Sequence, residues 1–419
     1  MARHALNRTV GMIAATAMCA AAATEVAAQT SGQDATIIRN NQLQSVDVTS
    51  DLVLNVEGAT DQVTGSNSAQ GNSLSGAVQN GTLQLGSRQT MRGDSLATTT
   101  IAGRETEGAV NVVTQAGGNY LAAGAYGASA SVDATQTMEA GEISAGSSLT
   151  GGTARLLEGG SIGTSAIANR TDLGGTGAVV IGTVTQSSDA SVRASTLVET
   201  QYIPASADVS AQATGNAVAA NSTGASSQNL GVRQTSTGTV VTADASANAG
   251  NAWDLAGRAN AAANQAVLTN QGGAMISRFD QTNGSAVSAT ARVTAYDFGA
   301  AVVSASGAGN LASAGNNDRY LKLDNTQLNT GGVEVQATMI GTNGYDAYVG
   351  ADAVGNSVTG YACSECSGTL TATNLQNNSG NVSATANTSV VGANRAVITG
   401  VNAVGNSATF YVSRPGSGN

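Results

Sequence analysis

The chain has 419 residues, including 53 Gly and 2 Pro but only 3 Phe, 1 Trp and 9 Tyr; 11% of residues are charged and the net charge is −10. Aromatic side chains ordinarily carry much of a domain's buried area, so several thick cores are excluded, and a thin core of Ala and Val is what the 41% hydrophobic content can fill. The acidic balance excludes a phosphate-binding nucleic-acid partner, and two prolines without a three-residue Gly period exclude collagen.

In chain order, the first element is a signal. Arg3 and Arg8 form a basic start, Gly11 to Ala23 a short apolar stretch, and Val26-Ala27-Ala28 a small-residue cleavage site before Gln29. That stretch is shorter than the roughly 20 residues needed to cross a bilayer. Residues 1–28 are therefore expected to be a secretory signal peptide, and residues 29–419 one exported repetitive domain. His4, the single histidine, and Cys19 fall inside the signal.

The remainder keeps a beat of about 48 residues. A motif Ala-x-[Gly/Ala]-Asn places its Asn at Asn72, Asn119, Asn169, Asn216, Asn264, Asn310, Asn356 and Asn406, at intervals of 47, 50, 47, 48, 46, 46 and 50. Only Gly307 replaces the Ala. A second series holds the same phase: Gln42, Gln89, Gln136, Gln186, Gln234, Gln281, Gln327 and Gln376. Between these anchors the residues alternate with period 2, as in Val287-Ser288-Ala289-Thr290-Ala291 and Val382-Ser383-Ala384-Thr385-Ala386. Such alternation predicts half-buried strands. Asn80-Gly81, Gly331-Gly332 and Asn343-Gly344 are the expected turns.

Eight such units predict an all-β solenoid, because small inward residues suit coils stacked about 4.8 Å apart. Columns of Asn and Gln would then chain their amides from coil to coil and satisfy one another. The Gly that precedes the Asn in six of the eight units would supply a left-handed or tightly turned corner. Each repeat makes one large coil or two of half the length, giving stacks of roughly 40 or 75 Å. The structural alternative is an eight-bladed β-propeller.

Few residues offer chemistry. An exported chain without histidine cannot run a histidine base or a zinc site with a His ligand. The carboxylates are scattered, and neither a calcium β-roll pattern nor an EF-hand loop is present. No enzyme activity, metal or cofactor is expected. Trp253, the one tryptophan, either plugs a wider coil or stacks on a sugar. Arg319, Tyr320 and Lys322 sit in the densest charged and aromatic patch, which reads as a solvated strand or as a contact for a glycan or partner. Cys363 and Cys366 lie in the long interval between Asn356 and Gln376 and read as a local disulfide pinning an inserted surface loop.

Gly-Asn and Gln repeats in an exported acidic chain are similar in logic to curli-type fibre subunits, although the repeat is about twice as long. The signal, the eight repeats and the ending Ala403-Val404-Gly405-Asn406-Ser407-Ala408-Thr409-Phe410-Tyr411-Val412 together resemble the holdfast attachment protein D family of stalked bacteria. The resemblance implies a protein exported to the cell surface and associated with the outer membrane. Such a protein anchors the adhesive holdfast polysaccharide together with partner attachment proteins, and it has no catalytic residues. No charged or Pro-rich cap is legible at Gln33 to Gln44, so head-to-tail self-association is expected. The different-class alternatives are a polysaccharide-modifying β-helix enzyme and a passive surface fibre.

Overall fold

Alternation of small apolar with hydroxyl or amide residues leaves each segment one face to bury, and the chain buries these faces by stacking on itself. The computed structural model describes residues 35–318, 320–363, 368–392 and 394–412. These form eight coils of parallel strands. The first coil is Ala35–Gln44, Val48–Ala59 and Val63–Gln79. The second repeats it as Thr82–Met91, Ser95–Thr106 and Val110–Tyr126. From the fourth coil to the seventh the second and third strands run together, in Ser191–Thr223, Val240–Asn270, Ala286–Asn316 and Val333–Ala362.

Register decides the coil length. Ala35 pairs with Thr82, Thr82 with Ser129, Ser129 with Val179 and Val179 with Ser227, always in parallel. Each repeat is therefore one coil, and eight coils make a stack of roughly 40 Å at the strand spacing. Propeller blades are sheets folded within one repeat, whereas every ladder here joins successive repeats.

Two apolar compartments run along the stack. One lies between the second strand and the first arm of the third, and is mostly Ala and Val, such as Ala243, Ala289, Val303 and Ala305. The other lies between the first strand and the last arm of the third, and holds larger groups, such as Leu230, Leu268, Phe279 and Leu321. The third strand kinks between its arms at the residue before the Asn, which the register skips: Ile167 pairs with Thr214 and Asn169 with Asn216.

The glycines at this kink differ from expectation. Gly71, Gly118, Gly215, Gly309, Gly355 and Gly405 do not take the left-handed conformation. Close stacking explains several of them instead: a Cβ on Gly118 would come within 2.4 Å of the Ala168 carbonyl oxygen, and one on Gly355 within 2.5 Å of that of Gly405. Asn80 does adopt a positive φ of 53° at its turn, but Asn343-Gly344 lies inside the continuous strand Val333–Ala362. There the chain bends at a coil corner without leaving the ladder.

The two amide columns stand where the compartments meet. Asn216 Nδ2 donates to Asn264 Oδ1 at 2.9 Å and to the Thr235 carbonyl at 2.9 Å, while its Oδ1 accepts from Asn169 Nδ2 at 2.8 Å. The same pattern links Asn72 through Asn119 and from Asn264 through Asn310 and Asn356 to Asn406. Gln234 Nε2 donates to Gln186 Oε1 at 2.9 Å and to the Gln265 carbonyl at 2.9 Å, and Gln281 Nε2 donates to Gln234 Oε1 at 2.7 Å. This second column includes Gln42, Gln89, Gln136, Gln327 and Gln376.

The columns point in opposite directions. From Asn72 to Asn356 each Asn donates toward the next coil, and from Gln89 to Gln376 each Gln donates toward the preceding one. The orientation is forced, because a backbone carbonyl only accepts, so the amide nitrogen must be the atom facing it. Asn reaches the carbonyl after the Gln and Gln reaches the carbonyl after the Asn, so the columns also tie the first strand to the third. An isolated buried amide would be unfavourable by about 1–3 kcal/mol, and the chained arrangement removes that penalty at each interior rung.

Candidate functional site

Each coil passes from its second strand to its third at a corner where one residue points in and its neighbours point out. Ile203, Ala252 and Phe298 are the inward residues of coils four to six, stacked in register and buried. The residue before each forms an outward column: Glu105, Arg155, Tyr202, Asn251, Asp297 and Asn343. Arg155 pairs with Glu105 at 2.7 Å and stands over the Tyr202 ring at 5.5 Å. Asn343 Nδ2 donates to Asp297 Oδ1 at 2.9 Å.

The residue after the inward position carries the rings. Trp253 is 56% exposed and Tyr345, two coils on, is 57% exposed. Their centroids lie 6.2 Å apart at an interplanar angle of 69°, an edge-to-face contact. Gly299 occupies the same place in the coil between them. A Cβ there would lie 3.1 Å from the indole Cδ2 and 2.5 Å from the Trp253 carbonyl oxygen, so the glycine lets the indole lean across coil six to meet Tyr345. Tyr296 stands exposed on the same corner, and Tyr348 follows three residues after Tyr345. A chain poor in aromatic residues thus gathers exposed rings on three adjacent coils.

Polar groups flank the rings. Ser206 Oγ donates to Asp254 Oδ2 at 3.2 Å. Arg395 Nε donates to Asp346 Oδ1 at 2.9 Å, and its second guanidinium nitrogen bonds Asp346 Oδ2. The Arg395 hydrogen bond holds the Asp346 carboxyl below its ordinary range, with partial burial opposing. Reciprocally, Asp346 raises Arg395 above its ordinary value. Exposed ring faces beside fixed carboxylates and amides suit a polyol, whose C–H faces pack on rings while its hydroxyls hydrogen-bond to the acids.

The other sequence candidates lie elsewhere. Tyr320 and Lys322 are on the first strand of coil seven, Tyr320–Asn329, on a different face from Trp253, and Lys322 pairs with Asp324 at 3.4 Å. Arg319 and Cys366 lie outside the described residues. Cys363 is disulfide-bonded and its side chain is buried at 2% exposure; residues 364–367 of the expected loop lie outside the described residues. Among the described residues no group of three His, Cys, Asp or Glu side chains could hold a metal ion. Tyr296, Tyr345 and Arg395 were not singled out in the sequence. Tyr345 was findable, because it follows Trp253 by two repeats at the same place in the coil.

By its fold the chain is a parallel β-solenoid with internal amide columns and an aromatic outer corner. The holdfast attachment protein D family matches residues 57–332, from the second strand of coil one to the end of coil seven's first turn. The chain belongs to that family, and it is a holdfast attachment protein. Neither the curated proteins nor the solved structures give a match to it. Trp253, Gly299 and Tyr296 fall within the matched segment; Tyr345, Asp346 and Arg395 follow it.

Proposed function

We propose that the chain is an exported anchor that tethers the holdfast polysaccharide at the outer cell surface, associated with the outer membrane. It works as a structural element, self-associates and acts beside other attachment proteins. Family membership supports the holdfast role, and the stiffness of columns satisfied rung by rung supports a strut that transmits load. The observation that carries the polysaccharide contact is the exposed Trp253–Tyr345 pair spanning three coils. A ring over half exposed adds little to the core, so its place on the corner is best explained by a ligand.

The test is a retention assay with purified holdfast polysaccharide. Replacing Trp253 and Tyr345 together by Ala should weaken retention on the order of tenfold or more, about 1.4 kcal/mol per decade, while the fold is retained by circular dichroism. Unchanged retention would move the contact away from this corner. A deletion strain that keeps its holdfast under flow would reject the anchoring role. Attachment lost in the deletion strain but no glycan retention by the protein would favour the passive surface fibre.

A further inference from the structure

The two ends of the stack are chemically different and fit one another. At the last coil, Asn406 accepts from Asn356, and its own Nδ2 has no partner among the described residues. Gln376 there donates to Gln327 and to the Ser407 carbonyl, and its Oε1 accepts only one long bond, from Asn374 Nδ2 at 3.4 Å, which leaves it a second lone pair. The first coil is the reverse. Among the described residues, Gln42 Nε2 gives one hydrogen to the Ser73 carbonyl and keeps the other, and Asn72 Oδ1 receives no donor. One end therefore presents an Asn donor and a Gln acceptor, and the opposite end an Asn acceptor and a Gln donor.

Both ends also carry open edges. Among the described residues, the three strands of coil one and the three of coil eight pair on one side only. The core is uncovered at the carboxyl end: Val397 and Val401 are 46% and 53% exposed, whereas Ala347 and Ala351, directly below them in register, are 1% and 3% exposed. At the amino end the inward Leu52 is larger than the residue stacked on it, Thr99, or than the Ala that follows at this position in later coils, and Leu52 and Leu54 are only partly buried.

We infer that the partner of each end is the opposite end of a second copy of this chain, added head to tail with the coil-to-coil spacing continued across the junction. This rests on the self-association in the proposed function and gives it a direction. Asn406 Nδ2 of one copy donates to Asn72 Oδ1 of the next, and Gln42 Nε2 of that next copy donates back to Gln376 Oε1. The strands stay parallel, as in every ladder within the chain. Joining two like ends would require antiparallel pairing, which no internal ladder uses. A contact between unlike ends does not close, so growth is open-ended.

Two variants, each blocked at one end, test this with the full exported chain by analytical ultracentrifugation at neutral pH. Asn406→Asp replaces the upper donor by a carboxylate, and Gln42→Glu does the same to the lower donor. The wild-type chain is expected to form a series of species rising by single chains with concentration. Each variant alone is expected to remain monomeric with a melting temperature close to wild type. Mixed, the intact carboxyl end of Gln42→Glu and the intact amino end of Asn406→Asp leave one possible junction, so a 1:1 dimer that grows no further is expected. A wild-type chain that stays monomeric, a variant that dimerises alone, or a mixture that stays monomeric would each overturn the proposal. Retention of polysaccharide by the monomeric variants is read separately, so loss of stacking and loss of the glycan contact are distinguishable.

Discussion

Asn264 and Asn406 occupy the same place in the repeat and live in different surroundings. Asn264 is fully buried; its Nδ2 serves Asn310 and the Thr282 carbonyl, and its Oδ1 is served by Asn216. Asn406 is exposed and accepts one bond from below. The comparison teaches that one motif has two uses. In an interior coil it is a stability device, because removing it orphans its neighbours. In a terminal coil it has few neighbours to orphan, and what it offers is an unfilled valence.

The largest expected effect breaks the interior side of that contrast. Asn264→Leu takes the acceptor from one hydrogen of the Asn216 amide, which keeps the Thr235 carbonyl on the other, and takes the side-chain donor from the Asn310 oxygen and from the Thr282 carbonyl. At about 1 kcal/mol each as a lower figure, the loss is about 3 kcal/mol or more, read by guanidinium unfolding. Hydrogen exchange should place the damage in coils four to six, since a solenoid couples mainly nearest neighbours. Gln234→Leu should behave alike.

Asn264→Asp sharpens the same point through pH. A buried carboxylate facing the Asn310 oxygen lacks the required donor, while a protonated carboxyl supplies one. Its folded pKa is therefore raised above the unfolded value, so its stability is present below the unfolded pKa and lost as pH rises through the folded one. The melting temperature of this variant should climb toward wild type on acidification.

Asn406→Leu should change single-chain stability by less than about 0.5 kcal/mol, as for an ordinary surface position. A loss as large as that at Asn264 would show the terminal rung to be sealed. Gly299→Ala should disturb the Trp253–Tyr345 contact, visible as a change in tryptophan fluorescence, and lower the melting temperature less than Asn264→Leu does, because its Cβ would meet the Trp253 carbonyl oxygen at 2.5 Å while the amide columns stay intact.

The smallest effects come from outward charges. Asp346 has a lowered folded pKa, so its contribution is present above the unfolded value and lost as pH falls through the folded one; Arg395→Ala should abolish that acid sensitivity in the last coil. Asp244 is shifted the other way, raised by partial desolvation on the outward face with Arg292 opposing, so Asp244→Asn should be neutral or slightly stabilising at pH 7 and indistinguishable at low pH. A thermal melt series across pH reads both.

Much of the scaffold was legible because a stacked fold repeats its constraints. The Asn and Gln series hold their phase in the sequence since each coil must place them at one height, and Val287 to Val293 alternate since every second side chain faces the core. Other features were not legible. The burial of Cys363 was one, because the longer interval around it marks an insertion but not which of its side chains turns inward. The glycines before Asn looked like left-handed corners, whereas at several of them crowding by the next coil's carbonyl demands the small residue. Trp253 was open between a core plug and a surface ring, because a single Trp has no periodicity from which to read its side.

By itself the sequence determined the repeat length, the strand character, the thinness of the core and which amides stack, because these follow from periodicity and side-chain volume. Only the tertiary structure decided that one repeat closes one coil, that two compartments flank an amide partition, that the Asn and Gln columns run in opposite directions, and that rings two repeats apart touch across a glycine. The reason is physical: periodicity records which residues share a column, while the direction of a hydrogen bond and the lean of a ring depend on what the neighbouring backbone presents in space.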